Sequence, residues 1–226
     1  MKNKFRHELK YFINLGDYYT IKNRLKHFMV LDQNAGGAGY KIRSLYFDNA
    51  NNKALMEKIS GINNREKFRI RFYNGNSLHI KLEKKSKING LCRKEAERIT
   101  EEECRKIIHG DIEFLKLSEK ELFVELYTKM KGQLLKPKTI VDYDREAYIY
   151  PPGNVRVTFD KKVRTGIVNV NMFDNDAPTI DVIPNNQVIL EVKFDEFLPE
   201  IIQDIVQTNN RSATSISKYA ACRMYG

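Results

Sequence analysis

Much of this chain alternates between apolar and polar residues, the period-two signature of half-buried strands. In residues 5–13, Phe5, Leu9, Tyr11 and Ile13 share one face, and Arg6, Glu8 and Lys10 share the other. Residues 65–74 set Phe68, Ile70 and Phe72 against Arg65, Lys67, Arg69 and Arg71. A short Asn74-Gly75-Asn76 turn follows. Residues 77–85 then set Leu78, Ile80 and Leu82 against His79, Lys81, Glu83 and Lys85, so the pair reads as a hairpin. Further strands are expected at 40–48, 91–99, 139–148, 155–161, 163–170 and 188–194. In the last of these, Val188, Leu190, Val192 and Phe194 back onto Glu191 and Lys193.

Helical spacing interrupts the strands. Residues 17–31 place Tyr18, Ile21, Leu25 and Phe28 at three- and four-residue intervals, and a shorter helix is expected at 51–59. Thr100-Glu-Glu-Glu103 and Ser118-Glu-Lys-Glu121 read as capping boxes, each opening a helix. Pro199 suits the start of another helix, where its missing N–H costs nothing. A last helix is expected at 215–224.

These helices need an apolar surface to bury against, and the apolar strand faces supply it. The basic faces are then left on the far side of the sheet. The expected fold is α+β: a closed antiparallel β-barrel of about eight strands, since closure removes exposed edges. Amphipathic helices pack outside it, and the interior becomes a polar, basic tunnel. No repeat or Gly/Ser linker divides the 226 residues; the nearest thing to a seam, Lys-Gly-Gln-Leu-Leu-Lys-Pro-Lys at 131–138, is too short to prove a boundary. Residues 1–226 are therefore read as a single domain.

Composition sharpens this picture. Lys and Arg number 39 against 29 Asp and Glu, a formal charge of +10 that points to an anionic partner. No apolar run approaches the ~18 residues of a membrane-spanning helix. The charged N-terminus lacks the apolar stretch of a signal peptide. Cys92, Cys104 and Cys222 are too few and scattered for a disulfide framework. The expectation is a reduced, cytoplasmic protein.

Guanidinium and ammonium groups lining a lumen repel one another and call for compensating anions, such as a chain of phosphates. Arg69 and Arg71, two apart, project together, and guanidinium forks suit bidentate contact with phosphate oxygens. Lys81 lies across the hairpin, Lys94 and Arg98 share the next strand, and Arg145 and Arg156 come from two later ones. Glu191 beside Lys193 is either an ion-pair partner or a ligand for Mg²⁺ or Mn²⁺, since hard cations prefer oxygen ligands completed by substrate phosphates. Glu8 is a second metal candidate. The chain carries no phosphate-binding glycine loop, dinucleotide fingerprint or zinc motif, and nothing in it supports covalent catalysis.

Taken in order, several segments resemble the catalytic domain of the vacuolar transporter chaperone (VTC)-type polyphosphate polymerases, within the CYTH or triphosphate tunnel metalloenzyme superfamily. They are Arg6-His-Glu-Leu-Lys-Tyr11, Ile42-Arg-Ser-Leu-Tyr-Phe-Asp48, Arg65-Glu-Lys-Phe-Arg-Ile-Arg-Phe-Tyr73, Tyr143-Asp-Arg145, Val155-Arg-Val157, Ile189-Leu-Glu-Val-Lys193 and Ser215-Ile-Ser-Lys-Tyr219. The resemblance implies a tunnel in which Lys10, Arg69, Arg71, Lys81, Lys94, Arg145, Arg156 and Lys218 line a phosphate path. Arg43, Tyr143, Lys193 and Ser217 would give supporting contacts, and Glu191 would hold Mn²⁺ or Mg²⁺. The superfamily's Glu-x-Glu-x-Lys appears here as Arg6-His-Glu8-Leu-Lys10, which removes one carboxylate from that strand. The inositol-polyphosphate-sensing domain and membrane helices of fungal relatives have no counterpart in this sequence, which leaves room for a separate membrane partner.

The activity so implied is transfer of the γ-phosphoryl group of ATP to a polyphosphate chain, with Arg69, Arg71, Lys81, Arg156 and Glu191 as the reacting-centre residues. Two alternatives within the same chemistry are an inorganic or nucleoside triphosphatase and a polyphosphate-binding protein without turnover. An RNA-binding protein is disfavoured because single-strand binders combine basic and aromatic groups on one face. Phe68 and Phe72 alternate away from Arg69 and Arg71, so no nucleic-acid partner is expected.

Overall fold

A computed structural model describes residues 5–32, 39–207 and 212–225; Met1–Lys4, at the charged N-terminus, lie outside it. Among the described residues, ten strands form one antiparallel sheet. These are β1 (His7–Asn14), β2 (Val30–Leu31), β3 (Tyr40–Asp48), β4 (Arg65–Tyr73), β5 (Asn76–Ile88), β6 (Leu91–Ile99), β7 (Lys136–Tyr150), β8 (Val155–Thr165), β9 (Ile180–Asp181) and β10 (Gln187–Phe194). The main path runs β1-β10-β8-β7-β3-β4-β5-β6, with β2 beside β7 and β9 beside β8. Seven α-helices are described: α1 (Leu15–Leu25), α2 (Lys53–Ile59), α3 (Glu101–His109), α4 (Glu113–Lys116), α5 (Glu121–Gly132), α6 (Glu200–Val206) and α7 (Lys218–Arg223).

The alternation read from the sequence decides the layering. Phe68, Ile70 and Phe72 of β4, with Ile80 and Leu82 of β5, pack against Cys104 and Ile107 of α3 and Leu122, Phe123 and Leu126 of α5. Along the other half, Val188, Leu190 and Val192 of β10 join Val157 and Phe159 of β8 under Tyr18, Ile21 and Leu25 of α1 and Ile202 of α6. Helices α1, α3, α5 and α6 cover the greasy back of the sheet, so its charged front curls inward.

Local chemistry fixes the turns. Asn74 (φ 53) and Gly75 (φ 68) both take left-handed backbone between β4 and β5, as a two-residue hairpin turn of this hand requires. Thr100 caps α3 reciprocally with Glu103, as the motif predicts. The second expected box does not form: α5 starts at Glu121 after Lys120, and Ser118 accepts only from the Lys120 N–H. Helix α1 stops at Leu25, short of the expected 31, and Val30–Leu31 instead pairs with β7. The two strands expected at 155–161 and 163–170 are one strand ending at Thr165, because Lys162 (φ 50) bulges and lets pairing continue.

Two further expectations are corrected. The sheet is a curled half-barrel, not a closed barrel. Its edges, β1 and β6, meet at a single bridge, Arg6 with Cys92, where the two N–H···O bonds measure 2.9 and 3.0 Å. The edge strands overlap only at this end: continued antiparallel from the bridge, Lys10 would face Ile88, past the start of β6 at Leu91, and its carbonyl instead accepts from the Thr214 N–H at 2.8 Å. Nor do all helices pack outside. Tyr219 and Cys222 of α7 join Ile42, Val141, Tyr143 and Ile189 in an apolar cluster on the concave side. All three cysteines are free thiols. Among the described residues, no helix is long and apolar enough to cross a membrane.

The helical layer carries the curl. Leu126, fully buried between α5 and the β4–β5 hairpin, is expected to cost about 2–5 kcal/mol when cut to alanine. Urea unfolding followed by far-UV circular dichroism measures this; a loss below about 1 kcal/mol would show that the layer packs loosely.

Candidate functional site

The concave face holds a cavity of about 680 Å³. Among the described residues, twelve Lys and Arg side chains line it, against the three carboxylates of Glu8, Glu191 and Asp195. Period-two spacing brings them there. Lys67, Arg69 and Arg71 come from β4, Lys10 from β1, Arg145 from β7, Arg156 from β8 and Lys193 from β10, while Lys218 comes from the first turn of α7.

Carboxylates buried in the wall separate these cations. Glu83 of β5, opposite Arg69 in register, accepts from Arg69 Nε at 2.8 Å and lies 3.1 Å from Lys94 Nζ and 4.0 Å from Arg71. Asp160 of β8 receives Arg145 through two bonds of 2.6 and 2.7 Å and also pairs with Lys218. Glu191 pairs with Lys193 and lies 3.6 Å from Arg145, and Glu8 takes Lys10 at 2.8 Å and Lys85 at 2.5 Å. Burial alone would raise these carboxyl groups. The surrounding cations outweigh it and hold Glu8, Glu83 and Glu191 well below the usual range, and Asp160 at about 2.

Two further devices hold the guanidinium groups. Tyr143 accepts from Arg71 at 2.9 Å, and its ring lies 5.7, 5.3 and 4.8 Å from the charged ends of Arg71, Arg145 and Lys218. Arg71 also donates to Ser44 Oγ at 2.8 Å. Arg156 donates to Asp32 and to the Tyr40 hydroxyl, both at 2.7 Å, while its Nε is buried with no acceptor among the described residues.

Lys67 is different. Among the described residues no carboxylate lies within ion-pair distance, and its Nζ is 3.4 Å from Ser217 Oγ. Burial, then the positive charges of Lys85, Lys10 and Arg69, pushes it down to about 7. Burial raises the neighbouring Tyr46 phenol, but Arg69, Arg71 and Lys67 reverse the effect and bring it down to about 7.

Of the residues singled out from sequence, Glu8, Lys10, Arg69, Arg71, Lys94, Tyr143, Arg145, Arg156, Glu191, Lys193, Ser217 and Lys218 line this one cavity. Lys81 and Arg43 do not. Lys81 is exposed on β5, paired with Arg71 as the last regular position before the register shift that leads into the hairpin turn. Arg43 points to the opposite face of β3, where its guanidinium grips Asp142 at 2.8–3.2 Å. The sequence reading did not single out Lys67, Lys85, Tyr46 or Tyr73 as site residues. Lys67 and Lys85 continue the alternation that carries Arg69 and Glu83, so that signal was present.

Among the described residues, no cluster of three or more His, Cys, Asp or Glu side chains stands ready to hold a metal. Glu8 and Glu191 nevertheless face each other closely enough for each charge to oppose ionisation of the other. Two carboxylates suit a cation such as Mg²⁺ or Mn²⁺ that completes its shell with substrate phosphates, and do not suit a dedicated protein cage.

A family model described as the VTC domain matches residues 5–225. No curated protein matches this chain. Among solved structures, a Bacillus halodurans protein described as a "putative adenylate cyclase" superposes with a TM-score of 0.51 at 10% identity, covering 85% of this chain and 82% of its own. A Vibrio parahaemolyticus protein of the same description gives a TM-score of 0.45 at 10% identity, covering 90% and 82%. At these identities the likeness to the first concerns the fold alone.

Replacing Glu83 by glutamine leaves Arg69, Arg71 and Lys94 without their shared buried counter-charge. The expected cost is about 3–5 kcal/mol. Because the folded carboxyl lies below its unfolded value, its contribution is complete above about pH 4.5 and is lost as pH falls. Thermal melts at pH 7 and pH 4 should therefore show the wild type and E83Q converging towards acid pH; parallel curves would remove Glu83 from this role.

Proposed function

The chain belongs to the VTC domain family, and from that premise we propose that residues 1–226 work as one triphosphate-binding unit that extends a polyphosphate chain from ATP. A terminal phosphate oxygen of the chain attacks the γ-phosphorus, the bond from that phosphorus to the β-phosphate bridging oxygen breaks, and ADP leaves with that oxygen. No water is consumed. The observation that carries this reading is the surplus of cations over carboxylates in a single concave cavity.

Phosphoryl transfer needs positioning and charge neutralisation more than a protein nucleophile. Arg69 and Arg71, held by Glu83, Ser44 and Tyr143, are preorganised to meet the transferring group. Arg156 offers its unpartnered Nε from the facing strand. Lys10, Lys67, Lys94, Lys193 and Lys218 hold the flanking phosphates. Glu191 with Glu8 would hold Mn²⁺ or Mg²⁺, which supplies charge neutralisation at phosphate oxygens when bound.

Incubation of purified protein with ATP and Mn²⁺, followed by separation of the products, tests the reading. Polymer supports it, whereas free phosphate alone assigns a triphosphatase and no turnover assigns a binding protein. Arg71→Ala is expected to lose at least ~10²-fold in rate, comparable to removing one preorganised transition-state donor. Glu191→Gln should abolish metal-dependent turnover while the circular dichroism spectrum is retained.

Binding should also be proton-linked. With only protein around it, Lys67 is held down to about 7; a polyanion beside it favours the ammonium form and raises that value. Affinity for inorganic triphosphate therefore falls as pH rises through about 7 and beyond. Calorimetry at pH 7.5 in buffers of different ionisation enthalpy should register proton uptake that shrinks in Lys67→Met. Zero uptake in the wild type would contradict the assignment.

A further inference from the structure

A smaller pocket of about 230 Å³ adjoins the main cavity and shares Lys10, Lys67, Lys85 and Ser217 with its wall. Its remaining charge comes from elements that no motif singled out as one site: Lys58 at the end of α2, Arg65 at the start of β4 and Lys87 near the end of β5. All three are half-buried. Among the described residues, none has a carboxylate within ion-pair distance, and neither does Lys67 between them and the cavity. The other acidic side chain in this wall apart from Glu8 is Glu66, which pairs with Lys129.

Like charges do not converge in half-buried space without a reason, because each loses hydration and gains only repulsion. The neighbours of Lys58 confirm the strain: burial, then Arg65, Lys10 and Lys87, lowers its pKa. Protein acceptors satisfy these groups only in part. Lys58 donates to the carbonyl and hydroxyl of Ser215, Lys10 reaches the Ile216 carbonyl at 3.2 Å, and Arg65 reaches the Ile62 carbonyl. Neutral carbonyl oxygens stand where anionic oxygens would bind more strongly.

We propose that Lys58, Arg65 and Lys87 form a second anion site, continuous with the main cavity through Lys67, that takes the extension of a linear condensed-phosphate chain beyond a triphosphate. This rests on the polyphosphate reading of the main cavity. Among the described residues, the pocket wall contains no aromatic side chain to stack a nucleobase, and a bare phosphate chain fits better than RNA.

Equilibrium binding of inorganic triphosphate and of a long linear polyphosphate of defined length tests the site, without relying on turnover. Lys58→Gln/Lys87→Gln should weaken the long chain by about tenfold and leave triphosphate within about twofold. Lys87→Gln alone, which disturbs no hydrogen bond to the 212–217 stretch, should weaken the long chain about threefold. Equal loss for both ligands, or none for the long chain, would overturn the site. So would a single-stranded RNA of equal charge displacing the long chain as well as unlabelled polyphosphate does. A wild type that binds neither phosphate overturns the cavity reading itself, an outcome distinct from losing the extension.

Discussion

A dozen cations can share one concave face only because carboxylates are buried between them. Glu83 stands between Arg69, Arg71 and Lys94, Asp160 between Arg145 and Lys218, and Glu191 beside Lys193 and Arg145. Each carboxylate is itself buried and faces the cations more than solvent. The arrangement neutralises the floor in part and keeps a positive surplus at the surface. Full pairing would leave no surplus charge on this face; no pairing would leave half-buried cations facing one another without counter-charge. Function and stability thus meet in the same few oxygens.

The same constraint explains the division of labour across the sheet. Every β4 residue that faces the cavity alternates with one that faces helices, so Phe68, Ile70 and Phe72 lock the register that aims Lys67, Arg69 and Arg71. A one-residue slip would place three aromatic or aliphatic side chains among cations and three cations in a hydrocarbon core. The apolar layer therefore sets the direction of the charged one, and the precision of the cavity derives from packing some distance behind it.

Period two made this much legible before any coordinates: the strands, the Asn74-Gly75 hairpin, the basic front and most of the cavity residues. What it could not carry was curvature. Lys81 follows the same alternation as Glu83 and Lys85, yet it lies outside the cavity beside a register shift that a pattern of residue types does not encode. Arg43 alternates with Ile42 and Ser44 and belongs to the outer face by that logic; the resemblance, not the alternation, drew it inward. Closure failed for a related reason. Edge pairing depends on how far the two edge strands overlap and on what else reaches them; β1 meets β6 only at Arg6, and Thr214, more than two hundred residues along the chain from Lys10, was invisible to local spacing.

The 212–217 stretch gives that open edge a consequence. Because Thr214 binds the β1 backbone while Ser215 and Ile216 offer carbonyls to Lys58 and Lys10, one segment both occupies the β1 edge and solvates cations of the wall. It then leads directly into Ser217 and Lys218, which line the cavity, and into Tyr219, which stacks on Tyr46 at 5.2 Å and donates to Asp48. The C-terminal part of the chain is thus anchored at one end by an apolar, hydrogen-bonded tyrosine and touches charge at the other. A fully laddered barrel would have no room for it. The incomplete closure is accordingly the feature that lets residues from opposite ends of the sequence share a single electrostatic wall.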